Sequence, residues 1–165
     1  MEVSSASGVL TLSIPIKGGR SVKLPYEEVE IDYKDCWREN HFKTLKTVYG
    51  NAPYFQFYEP VLEQLYISKI EGLFDWNINC LETFLRLSKM SNMIQFSINH
   101  SMEDNSIKMN LNPNPDLFRN LDFPPYQQVF SDRTGFMPNM SCLDLLMNLG
   151  PDAQKYIQDL TNKPD

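Results

Sequence analysis

The chain is short of the residues that most often build metal and disulfide chemistry. It has two histidines, His41 and His100, and three cysteines, Cys36, Cys80 and Cys142, in 165 residues. The cysteines are far apart and odd in number. They show no metal-ligand spacing and suit a reducing compartment. With only two histidines, a zinc site of common type is not expected. We therefore expect no metal and no cofactor. Basic residues are also scarce: 15 Lys and Arg stand against 21 Asp and Glu, a formal net charge of -6. That balance argues against nucleic-acid binding by a basic surface. No run of about 18 apolar residues occurs, so no membrane span is expected. The opening MEVSSASGVL is too polar and too short for an export signal, and the expected location is the cytoplasm. Asn99-His100-Ser101 and Asn139-Met140-Ser141 match a glycosylation pattern that carries no weight without export.

Signatures of reaction chemistry are absent too. There is no nucleophile elbow, no metal-binding helix and no phosphate loop. The glycines of Lys17-Gly18-Gly19-Arg20-Ser21 fit neither nucleotide fingerprint, and no helical pattern follows, so this is a turn. Ser141 lies in PNMSCLD and reads as a helix cap with Asp144 three residues on. Cys36 and His41 are five apart, which on a helix points them about 140° away from each other, a poor thiolate–imidazole pair.

What is present is an ordinary globular composition, 42% hydrophobic and 22% charged. We read residues 1–165 as one domain, long enough to bury a core without disulfides. It is organised around Asp35 to Tyr66, a stretch dense in aromatics. Asp35 is the expected cap of a helix whose Trp37, His41, Leu45 and Val48 share one face. Burying Trp37, Leu45 and Val48 stabilises by about 1.5–3 kcal/mol each. Gly50 is expected to end that helix in a left-handed conformation, and Pro53 to open the next. Pro60 is expected to divide that second helix into Tyr54–Tyr58 and Val61–Ile67.

Around this centre, Val9–Pro15 and Glu28–Tyr33 alternate as strands, and Met93–Ile98 reads as a third. Gly72–Met90 is the longest helical segment, with Leu73, Asn77, Leu81, Phe84 and Leu85 on one face; a buried Asn77 needs hydrogen-bond partners. Asn99–Pro125 reads as a long loop, of the kind that is functional or flexible. Tyr126–Phe130 reads as a short strand. A helix from Ser141, with Leu143, Leu146 and Met147 inward, and a last one over Asp152–Leu160 close the chain. The fold class is α/β or α+β, a small mixed sheet with several packed helices.

His41 projects from an apolar face. It reads either as a core-edge histidine bonded to a backbone carbonyl, or as a proton shuttle or phosphate contact. Arg38, Lys43 and Lys46 read either as a solvated face or as an anion site. The aromatics read as core, with one or two free to stack on a sugar or base.

Trp37-Arg38 with His41, KTLKTVYGNAPYF and Tyr58, LFDWN with Leu73 and Asn77, Tyr126 to Phe130, and GFMPNMSCLDLLMNLGP from Gly135 to Pro151 together resemble the WbqC-like family of bacterial proteins. The opening VLTLSIPI, Val9 to Ile16, resembles that family's strand too. The resemblance covers about Gly8 to Tyr156 and implies a process, the synthesis of O-antigen and other surface polysaccharides, rather than a reaction. Set beside the family, the chain is expected to lack an upstream strand–helix–strand segment, and Asn99 to Asp122 is shorter and more loop-like than in some members. The reading that follows is a cytoplasmic protein that binds or transfers a nucleotide-sugar or phosphorylated sugar. His41 is its candidate catalytic residue. Trp37, Arg38, Lys43, Asn77, Tyr126 and Asn139 are its candidate ligand contacts, with Arg38 and Lys43 drawing the phosphate. The alternatives are a non-catalytic module with biosynthetic protein partners and an inactive truncated domain.

Overall fold

The computed structural model describes residues 1–21, 23–91 and 123–161. The expected strand Met93–Ile98 and nearly all of the expected long loop lie outside them.

The chain opens with a hairpin, β1 (Glu2–Ser5) and β2 (Gly8–Thr11), paired antiparallel with Val3 opposite Leu10. The strand expected from Val9 is thus shorter and has a partner. The sequence hides that partner because Glu2-Val3-Ser4-Ser5 offers one apolar residue. That residue is Val3, wholly buried. The Ser141 N–H donates to the Glu2 carbonyl at 3.0 Å and ties β1 to the C-terminal helices.

Glu28–Tyr33 is not a strand. A 3-10 turn, Tyr26–Glu28, precedes two isolated bridges, Ile16 with Ile31 and Glu30 with Gly72. The segment passes between two others and bonds to both, Asp32 N–H to the Pro15 carbonyl and Ile31 N–H to that of Glu71. Pro15 has no N–H to extend the first pairing into a ladder. Ile31 is buried at the crossing.

Helix α1 (Trp37–Tyr49) follows, with Trp37, His41, Leu45 and Val48 buried as their spacing predicts. Its cap position is Cys36, one residue later than Asp35, and no side chain caps it. Gly50 ends the helix in a right-handed conformation, φ −55° and ψ −26°. Close approach explains the glycine better than handedness: a Cβ there would lie 2.6 Å from the Lys46 carbonyl oxygen.

Helix α2 (Phe55–Ile67) runs through Pro60 without a break. Gln56 and Pro60 are both exposed, so water can satisfy the carbonyl that the missing N–H frees. Helix α3 (Leu73–Leu87) buries Trp76 and Leu85. Its inward stripe is rotated from the expected one: Leu81 and Asn77 are exposed.

Tyr126–Phe130 is not a strand: residues 126–128 carry no regular structure, and Val129 and Phe130 turn into the short helix α4 (Ser131–Thr134). Helix α5 (Cys142–Leu149) starts at Ser141, whose hydroxyl makes no capping bond. Asp144 turns into the core instead of closing a capping box. A 3-10 turn at Gly150–Asp152 leads to α6 (Ala153–Thr161). The result is a small two-stranded sheet packed with helices, around one core that joins Val3, Ile31, Trp37, Leu45, Leu62 and Leu146.

Candidate functional site

Helical spacing on α1 puts Trp37 and His41 one turn apart on the same buried face. Their rings meet edge to face, centroids 5.2 Å apart. Trp37 also meets Trp76 of α3 at 5.5 Å, and Tyr66 of α2 stands 6.1 Å from His41 and 5.8 Å from Trp76. Three helices therefore converge on an aromatic frame, and His41 is 7% exposed within it. Such edge-to-face pairs add about 0.5–1.5 kcal/mol each beyond the area they bury.

Beside this frame lies a cavity of about 330 Å³. His41 lies on its wall. Leu12 and Ile14 close it from the chain that follows β2, Leu62, Leu65 and Tyr66 from α2, and Trp76, Cys80, Phe84 and Leu87 from α3. Ser141, Cys142, Leu143 and Leu146 close it from the start of α5. Asn77, Leu81 and Thr83 also line it. Among the described residues, no Lys, Arg, Asp or Glu side chain lines the cavity. Met1 also lines it, and its ammonium donates to the Leu12 carbonyl at 2.7 Å.

This environment sets the protonation of its groups. Burial lowers the pKa of His41 below that of a free histidine. A backbone hydrogen bond with Ser13 opposes the shift and the Met1 ammonium adds to it. The imidazole is neutral at pH 7. Burial pushes the Cys80 thiol up to about 11, so it is not a thiolate nucleophile. The Tyr66 hydroxyl is raised for the same reason.

Of the residues expected at a site, the structure brings His41 and Asn77 to this cavity, with Trp37 packed behind His41. The Asn77 amide donates to the Tyr26 hydroxyl. Arg38 borders a separate groove of about 320 Å³ with Glu39, Phe42, Glu63, Tyr66 and Ile67. Its guanidinium donates to the Tyr66 and Ile67 carbonyls at 3.4 and 3.1 Å and stacks 5.0 Å from the Tyr33 ring. It acts there as a cap on the C-terminal end of α2. Lys43 is exposed. Asn139 is exposed with φ 56°, a left-handed position that an asparagine tolerates.

Tyr126 serves a different cluster. Its hydroxyl donates to Asp144 Oδ2 at 2.7 Å, and the buried Gln128 amide donates to the same oxygen at 2.9 Å. Gln128 also exchanges two bonds with the Met137 backbone, each 2.9 Å. The Tyr49 hydroxyl lies beside Asp144 and Ser141, and burial next to Asp144 raises its pKa far above the tyrosine range. Tyr126 is shifted the same way for the same reasons.

Sequence reasoning missed Tyr66, Trp76 and Cys80 as cavity residues, and Gln128 with Asp144 as a buried pair. The signal for the first group was available: Leu73, Trp76, Cys80, Phe84 and Leu87 repeat at helical spacing and include a tryptophan. Nothing local marks Gln128, whose partners are nine and sixteen positions away.

A family model described as the WbqC-like protein family matches residues 1–117. That span holds β1, β2, α1, α2 and α3, and so every wall of the cavity except the one from α5. No curated protein and no solved structure matches the chain.

Proposed function

This chain belongs to the WbqC-like protein family, and we propose that it serves the synthesis of O-antigen or another cell-surface polysaccharide by binding a small molecule in the cavity beside His41. The reading takes residues 1–165 as one domain working in the cytoplasm. One observation carries it: a nine-tenths-buried, neutral imidazole on the wall of a cavity large enough for a small ligand. A nucleotide-sugar or phosphorylated sugar is the ligand class we propose from the family context. Its phosphates stay outside, because no Lys or Arg side chain lines the cavity among the described residues to replace their hydration. Its sugar or other C–H-rich portion enters, against Trp76, Tyr66 and Phe84.

Calorimetric titration of the folded protein with a panel of nucleotide-sugars and sugar phosphates tests this. Saturable heat that His41→Ala abolishes supports it. Absence of heat across the panel removes that ligand class.

A second reading is an interaction module without catalysis, for which Phe57, 75% exposed on α2, is the candidate contact. It predicts that His41→Ala leaves assembly intact while Phe57→Ser disrupts it, read by co-purification of partners.

A further inference from the structure

We infer that the outer edge of β2 pairs with the same edge of a second copy of this chain, joining the two hairpins into one antiparallel sheet about a two-fold axis at Leu10. The register fixes which groups face outward. The Leu12 N–H donates to the Met1 carbonyl at 2.8 Å, across the ladder from β2 to the start of β1. Bonded pairs alternate along an antiparallel ladder. Leu10, opposite Val3, and Gly8, opposite Ser5, therefore bond inward as Leu12 does. Val9 and Thr11 point their N–H and C=O groups away from β1. Among the described residues no hydrogen bond reaches them. Thr11 is exposed, as are Val9 at 52% and Leu10 at 38%. The other edge of the hairpin is taken: the Glu2 carbonyl receives the Ser141 N–H, and Val3 and Ser4 are buried.

The occupant follows from the edge itself. Gly8-Val9-Leu10-Thr11 carries no charge, no proline and no bulge, the devices that keep sheet edges apart. It offers no charge to select a basic or acidic foreign strand, and it brings no like charges together in a chain of net charge -6. Laid antiparallel on itself, the edge matches. Val9 faces Thr11 of the second copy, Thr11 faces Val9 of the second copy, and each pair exchanges N–H···O=C bonds in both directions. A contact with the same residues on both sides closes as a dimer. Leu10 meets its twin on the axis as a non-bonded pair, the pair whose side chains stand closest. Leu10 shares a face with the fully buried Val3. The twin therefore covers what its own chain leaves exposed and carries the core across the axis. Two strands make a marginal sheet by themselves, and the second hairpin doubles it. The contact is small against the roughly 1,000 Å² of a stable interface, so the dimer is weak and depends on concentration.

The test uses the 165-residue protein from micromolar to millimolar concentration. Sedimentation velocity follows its mass, and hydrogen exchange follows the Val9 and Thr11 amides. The expected result is a monomer that becomes a dimer with concentration while both amides gain protection in step. Thr11→Pro removes an outward N–H and leaves the bonds to β1 in place. It is expected to weaken the dimer about tenfold, because the two-fold axis makes each loss count on both copies. Leu10→Lys sets like charges face to face on the axis and is expected to abolish the dimer. Both variants are read only where they unfold cooperatively; should either fail to fold, the mass and the two amides of the unaltered protein decide. A chain that stays monomeric to millimolar concentration overturns the inference. So does a dimer whose Val9 and Thr11 amides exchange freely, or one that folded Thr11→Pro and Leu10→Lys leave unchanged. Protection of both amides in the monomer, at every concentration, also overturns it, because the edge is then covered within one chain.

Discussion

The Tyr126 hydroxyl donates a 2.7 Å hydrogen bond to Asp144, an acid that is 1% exposed. The bond fastens the segment before α4 to the first turn of α5. Gln128 makes the second bond to the same oxygen. A buried acid of this kind holds its neighbours as much as they hold it, because each loses a partner if it goes. Asp144→Ala is expected to lower stability by about 3 kcal/mol, Asp144→Asn by less, and Tyr126→Phe by about 1–2 kcal/mol. Urea unfolding followed by fluorescence gives the order. Equal effects for Tyr126→Phe and Asp144→Ala would show that Gln128 contributes nothing.

Much of the fold is legible in the sequence where periodicity is strong. Trp37, His41, Leu45 and Val48 announce the inner face of α1, and the last two helices follow from Leu146, Met147 and the Gly150-Pro151 break. Legibility fails where tertiary contacts decide. The strand-like alternation of Glu28–Tyr33 yields single bridges because the chain crosses Pro15. Pro60 suggests a break, yet α2 continues because its freed carbonyl is on the exposed side. Of the candidate site residues, two lie at the cavity, His41 and Asn77. His41 stands out as a polar residue on an apolar stripe, and the cavity does form beside it. Arg38 looks like an anion contact in the sequence because its carbonyl partners, on the helix 28 and 29 residues later, are invisible there.

Arg38 gives the second prediction. Removing its guanidinium frees two carbonyls at the end of α2 and one stacking contact on Tyr33. Arg38→Met is expected to destabilise by about 1–2 kcal/mol while leaving uptake by the cavity unchanged. Loss of ligand binding at full stability would move the site to the Arg38 groove.

Gly150 gives the third. It has φ +56°, and a Cβ there would lie 2.4 Å from Tyr54 Cδ1. Tyr54 cannot withdraw freely, since its N–H is bonded to the Met147 carbonyl at 3.1 Å. Gly150→Ala is expected to destabilise by about 2–3 kcal/mol. Tyr54→Ala should recover part of that loss in the double variant, since it removes the clash and leaves the backbone strain. Full recovery would mean that φ is of no consequence.

His41 sets a pH dependence. Its pKa is lowered in the folded protein, so the unfolded chain binds the proton first as pH falls. Its contribution is therefore complete above the free histidine pKa of about 6.5 and is lost as pH falls from there through the lower, folded value. The stability difference between the protein and His41→Leu should narrow between about pH 7 and pH 5. A constant difference over that range would mean that His41 titrates as a free imidazole.

The central claim is that the cavity beside His41 receives a ligand. The most direct measurement is the ¹H–¹⁵N spectrum of the two tryptophan indoles and the His41 ring during titration with the panel of nucleotide-sugars and sugar phosphates. Trp76 lines the cavity and Trp37 stands behind it. The account predicts saturable shifts at His41 and Trp76 that are larger than those at Trp37. Indole and imidazole signals that stay fixed to saturation, in a protein whose unfolding is cooperative, would contradict it.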